Sequence, residues 1–188
     1  MGIEDIDIAE YSVKADGNSI YFYGEITEDS ILDFSMKLNS ISIELECDKI
    51  KKGYSEKPPI YIYISSPGGD LFAGFSVYDR MMSCDARLVT VIDGMCASVA
   101  TLMFLAGDER LVRPHSFMLI HQISSMISGT HEQTKDNIAV NEICMKKLEK
   151  IYESRSRLKS DEIKEMLKRE TWIESADCLK YGLATGVI

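Results

Sequence analysis

A serine stands where a predicted strand meets a predicted helix. Residues 88–92 have the composition of a buried strand that Asp93-Gly94 ends, and residues 97–106 are apolar nearly all round, as in a buried helix. Ser98 falls in the first turn of that helix. Backbone N–H groups at a helix N-terminus favour negative charge. A serine in this place can therefore attack a carbonyl carbon while neighbouring amides hold the oxyanion.

The same serine also has a purely structural interpretation, because serine often caps helices. The segment is not the G-x-S-x-G elbow either, since Cys96 and Ala100 occupy its glycine positions. Ser98 on its own leaves both interpretations open.

A Gly-Gly turn follows a second predicted strand. Residues 60–64 (IYIYI) are β-branched and aromatic throughout, which predicts a strand buried on both faces. Pro67-Gly68-Gly69 comes next, and two successive glycines let the backbone approach a ligand with its N–H groups turned outward. A plain turn remains open. Phosphate binding is disfavoured, because the G-x-x-x-x-G-K-[ST] pattern is absent.

A histidine, His121, follows the third predicted strand, residues 117–120. The carboxyl ends of parallel strands meet at one edge of a sheet, so His121 is expected beside Ser98 and the Gly-Gly turn. His115 and His131 are expected at the surface. A nucleophile, a base and oxyanion donors at one edge together indicate acyl transfer.

The remaining segments predict a parallel α/β sheet, because strands alternate with helices. Residues 19–23 predict a strand, residues 49–59 a polar loop, and residues 132–156 a long helix. Two short helices should begin at Ser160 and at Ser175, the second ending at Gly182. Three helices carry apolar stripes: Ile31, Phe34, Leu38, Ile41 and Leu45 after a Thr27 cap; Leu71, Phe75, Tyr78 and Met82; and Ile138, Met145, Leu148 and Tyr152.

Composition excludes several classes of protein. A length of 188 residues fits one domain. The net charge of −9 repels the phosphates of nucleic acid, which makes nucleic acid an unexpected partner. The chain has no apolar run long enough for a membrane span, and residues 1–10 carry four acids and no basic residue, unlike a signal or transit peptide. Five cysteines without a CxxC pair argue against zinc or disulfides and for a reducing, cytoplasmic compartment.

Four segments together resemble one family. They are YIYISSPGGDLFAGFSVYDRM, DGMCASVATLMFLAG, FMLIHQ and the closing WIESADCLKYGLATGVI. In this order and spacing they are similar to the proteolytic subunit of Clp protease, the ClpP family, over about residues 19–188. The resemblance implies an α/β fold, a ββα spiral of the ClpP/crotonase (enoyl-CoA hydratase) type, with a protruding long handle helix.

The resemblance also implies a division of the chain and an assembly. Residues 1–188 would form one proteolytic-subunit domain, with an N-terminal axial segment (1–18), a head (19–120 and 159–188) and a handle (121–158). Heptameric rings would stack into a tetradecamer with the active sites inside. An AAA+ unfoldase of the ClpX, ClpA or ClpC type would feed it unfolded polypeptides, and the peptidase itself would need no cofactor and no metal.

The implied site residues are Ser98 as nucleophile, His121 as base, and the Gly69 and Val99 amides as oxyanion hole, with Pro67 and Gly68 supporting the turn. Glu170 stands where the family usually has the triad aspartate. A glutamate can orient the imidazole as an aspartate does, with a longer stem. The alternative, that Glu170 is a solvated acid at the end of a helix, stays open. The short acidic N-terminus and a single glycine in residues 124–130 are further departures. Glu-Thr-Trp before the last helix is similar to phage members.

The sequence leaves three alternatives open. The chain could be a catalytically silent subunit of a mixed Clp ring, for which the Glu170 exchange is the argument. It could be an acyl-CoA enzyme on the same fold, in which Ser98 has no role. Cys96 could also replace Ser98 as nucleophile, although it is expected to be buried and inert.

Overall fold

The computed structural model describes residues 13–126 and 128–188, so most of the predicted axial segment 1–18 lies outside the described residues. The described strands are β1 (Lys14–Asp16), β2 (Ser19–Tyr23), β3 (Ile60–Ser66), β4 (Leu88–Ala97), β5 (Glu109–Val112), β6 (Phe117–Ile120), β7 (Thr171–Glu174) and β8 (Gly186–Val187). The described helices are α1 (Glu28–Lys52), α2 (Leu71–Met82), α3 (Ala100–Leu105), α4 (His131–Arg155), α5 (Ser160–Lys168) and α6 (Ser175–Lys180).

The strands join in one sheet in the order β1-β2-β3-β4-β5-β8, and β6 pairs with both β4 and β7. Most neighbours are parallel, as the alternation of strands and helices predicted. The pairs β1–β2 and β6–β7 are antiparallel. The β6–β7 pair matters for function, because it brings residues near the C-terminus alongside the strand that ends at His121.

Strand β4 is longer than predicted and changes partner along its length. Its first part pairs with β5, and its last three residues pair with β6. Between these parts the register with β3 shifts, and Gly94 takes a φ of 108° that suits such an irregularity. The prediction that Asp93-Gly94 ends the strand was wrong. The predicted helix start at residue 97 was also wrong, because β6 holds residues 95–97 in the sheet and α3 begins at Ala100.

Strand β3 has one fully buried face rather than the two that its composition predicted. Ile60, Ile62 and Ile64 have no exposed surface, whereas Tyr61 and Tyr63 are half-buried. The ring of Tyr63 stacks on that of Tyr21, with centroids 5.0 Å apart. The stacked rings of Tyr21 and Tyr63 therefore cover part of the second face.

Helix α1 begins as predicted, in a capping box in which Thr27 and Ser30 each accept the other's backbone N–H. The helix then continues to Lys52, into the predicted polar loop, and ends at Gly53 in a left-handed conformation. Three lysines in its last turn stabilise this extension, since cations are favoured at a helix C-terminus.

Helix α2 turns a different face to the core than its apolar stripe predicted. Its buried residues are Ala73, Gly74, Val77 and Met81. Of the larger predicted residues, Leu71, Phe75 and Tyr78 lie at the edges of the interface and Met82 is exposed. A Cβ atom at Gly74 would lie 1.9 Å from Cγ2 of Val99. Small residues thus allow α2 to pack closely on the segment that leads into α3, which is the segment that carries Ser98.

In the described part of the chain, helix α4 buries side chains only in its second half. Its buried residues are Cys144, Leu148 and Tyr152, whereas Ile138, predicted to lie on the same stripe, is 47% exposed. A capping box at Thr130 begins the helix. Neither α4 nor any other described helix has the length and apolarity of a membrane span.

Candidate active site

Ser98 occupies a strained turn between β4 and α3. Its φ is 55°, in the left-handed region, where a residue with a side chain costs about 1–2 kcal/mol. Its backbone N–H donates to the Leu119 carbonyl of β6 at 2.9 Å, which holds the turn against the sheet. The side chain is half-buried and lines a cavity. Such a turn presents a side chain clear of both the strand and the helix, as nucleophile turns do.

That cavity has a volume of about 130 Å³ and gathers residues from four parts of the fold. They come from the β3–α2 turn and the start of α2, the β4–α3 turn, the segment after β6, and α4. Its lining consists of Gly69, Leu71, Ser98, Val99, His121, Gln122, Ile123, Ser124, Leu148 and Tyr152. Ser98, His121 and the Gly-Gly turn therefore share one cavity, at the edge of the sheet where the sequence placed them.

The Gly-Gly turn is fixed by short backbone hydrogen bonds. The Ile26 N–H donates to the Gly68 carbonyl and the Asp70 N–H donates to the Ile26 carbonyl, both at 2.7 Å. Gly68 is buried with a φ of 98°, Gly69 has a φ of 148°, and Pro67 before them is exposed. A Cβ at Gly69 would lie 2.2 Å from the Ile26 carbonyl oxygen, so only glycine fits there. Within the described part of the chain, the Gly69 N–H has no hydrogen-bond acceptor.

The Val99 N–H is the second such donor at the cavity. It too has no acceptor among residues 13–126 and 128–188, although Val99 itself is buried. The carbonyl of the same peptide group, that of Ser98, accepts from the Thr101 N–H at 3.1 Å and from Thr101 Oγ1 at 2.6 Å. Two unpaired amides beside a serine are an arrangement that can stabilise a tetrahedral oxyanion.

His121 is held by the chain that follows it. The Gln122 N–H donates to the Leu167 carbonyl at 2.6 Å, and the Ile123 N–H contacts Met145 Sδ at 3.4 Å. The His121 side chain is half-buried in the cavity wall and, within the described residues, has no hydrogen bond to Ser98. Hydrogen bonds between catalytic groups are often long in the absence of substrate, so this geometry is compatible with a base at His121.

Glu170 lies beside His121 in the fold but its carboxylate is not in the cavity. In the antiparallel β6–β7 pair Ile120 faces Thr171, so the next positions are His121 and Glu170. Glu170 is exposed and has a φ of 43°. The cavity lining contains no acid, and the described residues show no Glu170–His121 hydrogen bond. The structure thus brings together four of the five proposed catalytic and oxyanion residues and leaves Glu170 outside the cavity.

Two hydroxyl residues were not predicted as site residues from the sequence: Tyr152, which lines the cavity, and Thr101, which contacts Tyr152 and the Ser98 carbonyl. Tyr152 was predicted only as part of the apolar stripe of α4, and Thr101 only as part of a buried helix. In the structure the Tyr152 hydroxyl hydrogen-bonds Thr101 Oγ1, both side chains being buried. The available signal was a hydroxyl group within each apolar segment, since a buried hydroxyl requires a partner.

Cys96 is not placed to act as a nucleophile. It is 0% exposed, and burial raises the pKa of its thiol well above the ordinary value. A thiol in this state is protonated at neutral pH, and the thiolate is the reactive form. The expectation that Cys96 is buried is confirmed, and the alternative that used it in place of Ser98 loses its basis.

Similarity to known proteins assigns the chain to one family. A family model described as Clp protease matches residues 18–188, and the chain belongs to this family. The family match, the mixed sheet and the long α4 confirm the predicted ClpP/crotonase-type fold. The family match also disfavours the acyl-CoA enzyme on the same fold that was considered from the sequence.

Three curated relatives carry the name of the family's proteolytic subunit. The "ATP-dependent Clp protease proteolytic subunit 2" of Borreliella burgdorferi is 33% identical over 174 residues, 90% of this chain and 82% of that protein. Its namesake in Treponema denticola is 30% identical over 73% of this chain and 70% of that protein. The "ATP-dependent Clp protease proteolytic subunit" of Porphyromonas gingivalis is 33% identical over 69% of this chain, which spans 59% of that protein's length.

Proposed function

We propose that this chain is a serine endopeptidase, the proteolytic subunit of a Clp-type protease. The observation that carries the proposal is the cavity that Ser98, on a strained turn, shares with His121 and with the Gly69 and Val99 amides, which have no hydrogen-bond acceptor among the described residues. Membership of the Clp protease family supports peptide-bond hydrolysis as the reaction.

The proposed reaction is acyl transfer in two steps. His121 takes the proton of Ser98 Oγ as that oxygen attacks the substrate carbonyl carbon, and the resulting oxyanion binds the Gly69 and Val99 amides. The imidazolium then gives its proton to the leaving amine as the C–N bond breaks. In the second step His121 takes a proton from a water molecule as the water oxygen attacks the acyl carbon. His121 then gives that proton to Ser98 Oγ as the ester bond to the enzyme breaks.

We further propose that Glu170 orients the His121 ring through its long side chain. Glu170 lies opposite His121, one position beyond the last residue pair of β6 and β7, and this supports the role. Because Glu170 is exposed, we expect its contribution to catalysis to be small. Glu170→Gln is expected to lower kcat about 10- to 100-fold, less than the roughly 10⁴-fold loss for a buried triad acid. Steady-state peptide hydrolysis, with Glu170→Asp as the matched variant that keeps the charge, measures this. A Gln variant as active as the parent enzyme would remove Glu170 from the mechanism.

The proposed assembly is a homo-oligomer of heptameric rings, stacked into a tetradecamer. The relatives' names support an ATP-dependent partner, which we propose to be an AAA+ unfoldase of the ClpX, ClpA or ClpC type that delivers unfolded polypeptides. The exposed apolar residues Ile138, Val140 and Ile143 on α4 are consistent with contacts between subunits. Five cysteines without disulfides support a cytoplasmic setting.

One observation favours a second candidate, a catalytically silent subunit of a mixed ring. Because the Glu170 carboxylate is exposed and outside the cavity, the described chain has no acid bonded to His121. A silent subunit would retain the fold and the family match without hydrolysing peptides.

Fluorophosphonate labelling of the purified protein distinguishes the two candidates. The reagent phosphonylates an activated serine, so the proposed enzyme should gain one adduct, located at Ser98 by intact mass and peptide mapping. Heat-denatured protein is the control for non-specific reaction. An adduct elsewhere, or no adduct on the assembled protein, would reject the enzyme in favour of the silent subunit.

A further inference from the structure

Two buried hydroxyl groups form a chain that ends at the backbone of Ser98. Tyr152, on α4, is 3% exposed, and its hydroxyl hydrogen-bonds Oγ1 of Thr101, which is 0% exposed. Thr101 Oγ1 in turn bonds the Ser98 carbonyl at 2.6 Å. The chain links α4 to the strained turn across 51 residues of sequence.

The direction of these hydrogen bonds follows from the number of protons. A carbonyl only accepts, so Thr101 must donate its single hydroxyl proton to Ser98. Tyr152 must therefore donate to Thr101. Burial raises the pKa of Tyr152, which keeps its hydroxyl protonated and able to donate.

The Ser98 carbonyl belongs to the same peptide group as the Val99 N–H. A trans peptide is planar, with its C=O and N–H directed to opposite sides, so holding the oxygen also sets the direction of the N–H. A hydrogen bond to the oxygen also polarises the N–H, because bonds in a chain strengthen one another. Gly74 of α2 provides the space that the Val99 side chain needs in this orientation.

We propose that Thr101 and Tyr152 are positioning residues that aim and polarise the Val99 amide toward the oxyanion. This inference rests on the proposed function, since it assigns a role to two residues in the same reaction. It also makes α4 part of the catalytic site, because Tyr152 is the only hydroxyl among the described buried residues of that helix.

The test compares isosteric variants by steady-state hydrolysis of a fluorogenic peptide. Thr101→Val should lower kcat about tenfold, below the 10²- to 10³-fold loss of a whole oxyanion donor, with KM unchanged. Thr101→Ser keeps the hydroxyl and should restore most of kcat. Tyr152→Phe should lower kcat by about fivefold, the effect of one ordinary hydrogen bond.

Thr90→Val is the matched control. Thr90 is also 0% exposed, and its Oγ1 donates to the Phe104 carbonyl at 2.8 Å, away from the cavity. It should lose thermal stability as Thr101→Val does but retain the parent kcat.

Three results would overturn the inference. The first is a Thr101→Val variant with the kcat of the parent protein. The second is a loss of kcat in Thr90→Val as large as that in Thr101→Val. If Thr101→Val does not fold, parent-like kcat in Tyr152→Phe decides against it. A parent protein without a fluorophosphonate adduct at Ser98 would instead reject the proposed function itself, so the two failures are distinguishable.

Discussion

Ser98→Ala is expected to lower kcat for peptide hydrolysis by about 10⁶-fold, to the level that a binding cavity and an oxyanion hole provide without a nucleophile. The reason is that Ser98 is the proposed nucleophile. In the described cavity its hydroxyl group lies on a strained turn, near the His121 imidazole and near two backbone amides without an acceptor. Hydrolysis of a fluorogenic peptide by the assembled protein measures the loss.

The control for this prediction is a second serine of the same cavity. Ser124 is exposed and lies on the segment after β6, without the left-handed backbone of Ser98. Ser124→Ala should stay within about threefold of the parent activity, because an exposed hydroxyl that is not the nucleophile contributes at most about one weak hydrogen bond to the substrate. Near-full activity in Ser98→Ala, with a thermal midpoint like that of the parent, would contradict the assignment of the nucleophile.

Gly68→Ala is expected to reduce kcat at least 100-fold, on the order of the loss of an oxyanion donor, and to destabilise the fold. A Cβ at Gly68 would lie 2.6 Å from Cβ of Ser98 and 2.9 Å from the Ala97 carbonyl oxygen. The methyl group must therefore displace the nucleophile turn or the Gly-Gly turn. Overpacking and the φ of 98° together should cost about 2–4 kcal/mol, measured by denaturant unfolding.

Gly53→Ala separates the cost of backbone conformation from the cost of the clash. Gly53 has a φ of 71°, and a Cβ there would meet nothing within 4 Å. This variant should lose about 1–2 kcal/mol from the left-handed backbone alone and keep its activity. If Gly68→Ala were as active as Gly53→Ala, the Gly68 position would not be tied to the geometry of Ser98.

The sequence predicted the existence and type of the main elements because their signals are local. The Thr27 cap and the apolar repeat after it specify α1, and the IYIYI run specifies β3. The boundary between β4 and α3 was predicted wrongly because it depends on a distant partner. Strand β6, about 20 residues further along, pairs with residues 95–97 and keeps an otherwise helical-looking segment extended. The face of α2 was missed because close packing at Gly74 favours small residues over the larger apolar ones.

The edge of the sheet that holds the candidate site was predictable, since parallel strands end on the same side. The cavity accordingly contains Ser98, His121 and Gly69. The sequence left open whether Glu170 faces the site or the solvent, and the structure places it in the solvent, with a left-handed backbone two residues after α5. The contact between Tyr152 and Thr101 could not be predicted, since it requires the relative placement of α3 and α4.

The uneven anchoring of α4 means that stability is graded along this helix. At 1.5 Å per residue its 25 residues extend about 38 Å, and the buried side chains all lie in the second half. In an isolated chain the first turns should open locally at a small fraction of the global unfolding free energy, with rapid exchange of their amide hydrogens. The turn that carries Tyr152 should open only with the core. Part of α4 can therefore rearrange with its surroundings while the end that touches the Ser98 turn stays in place.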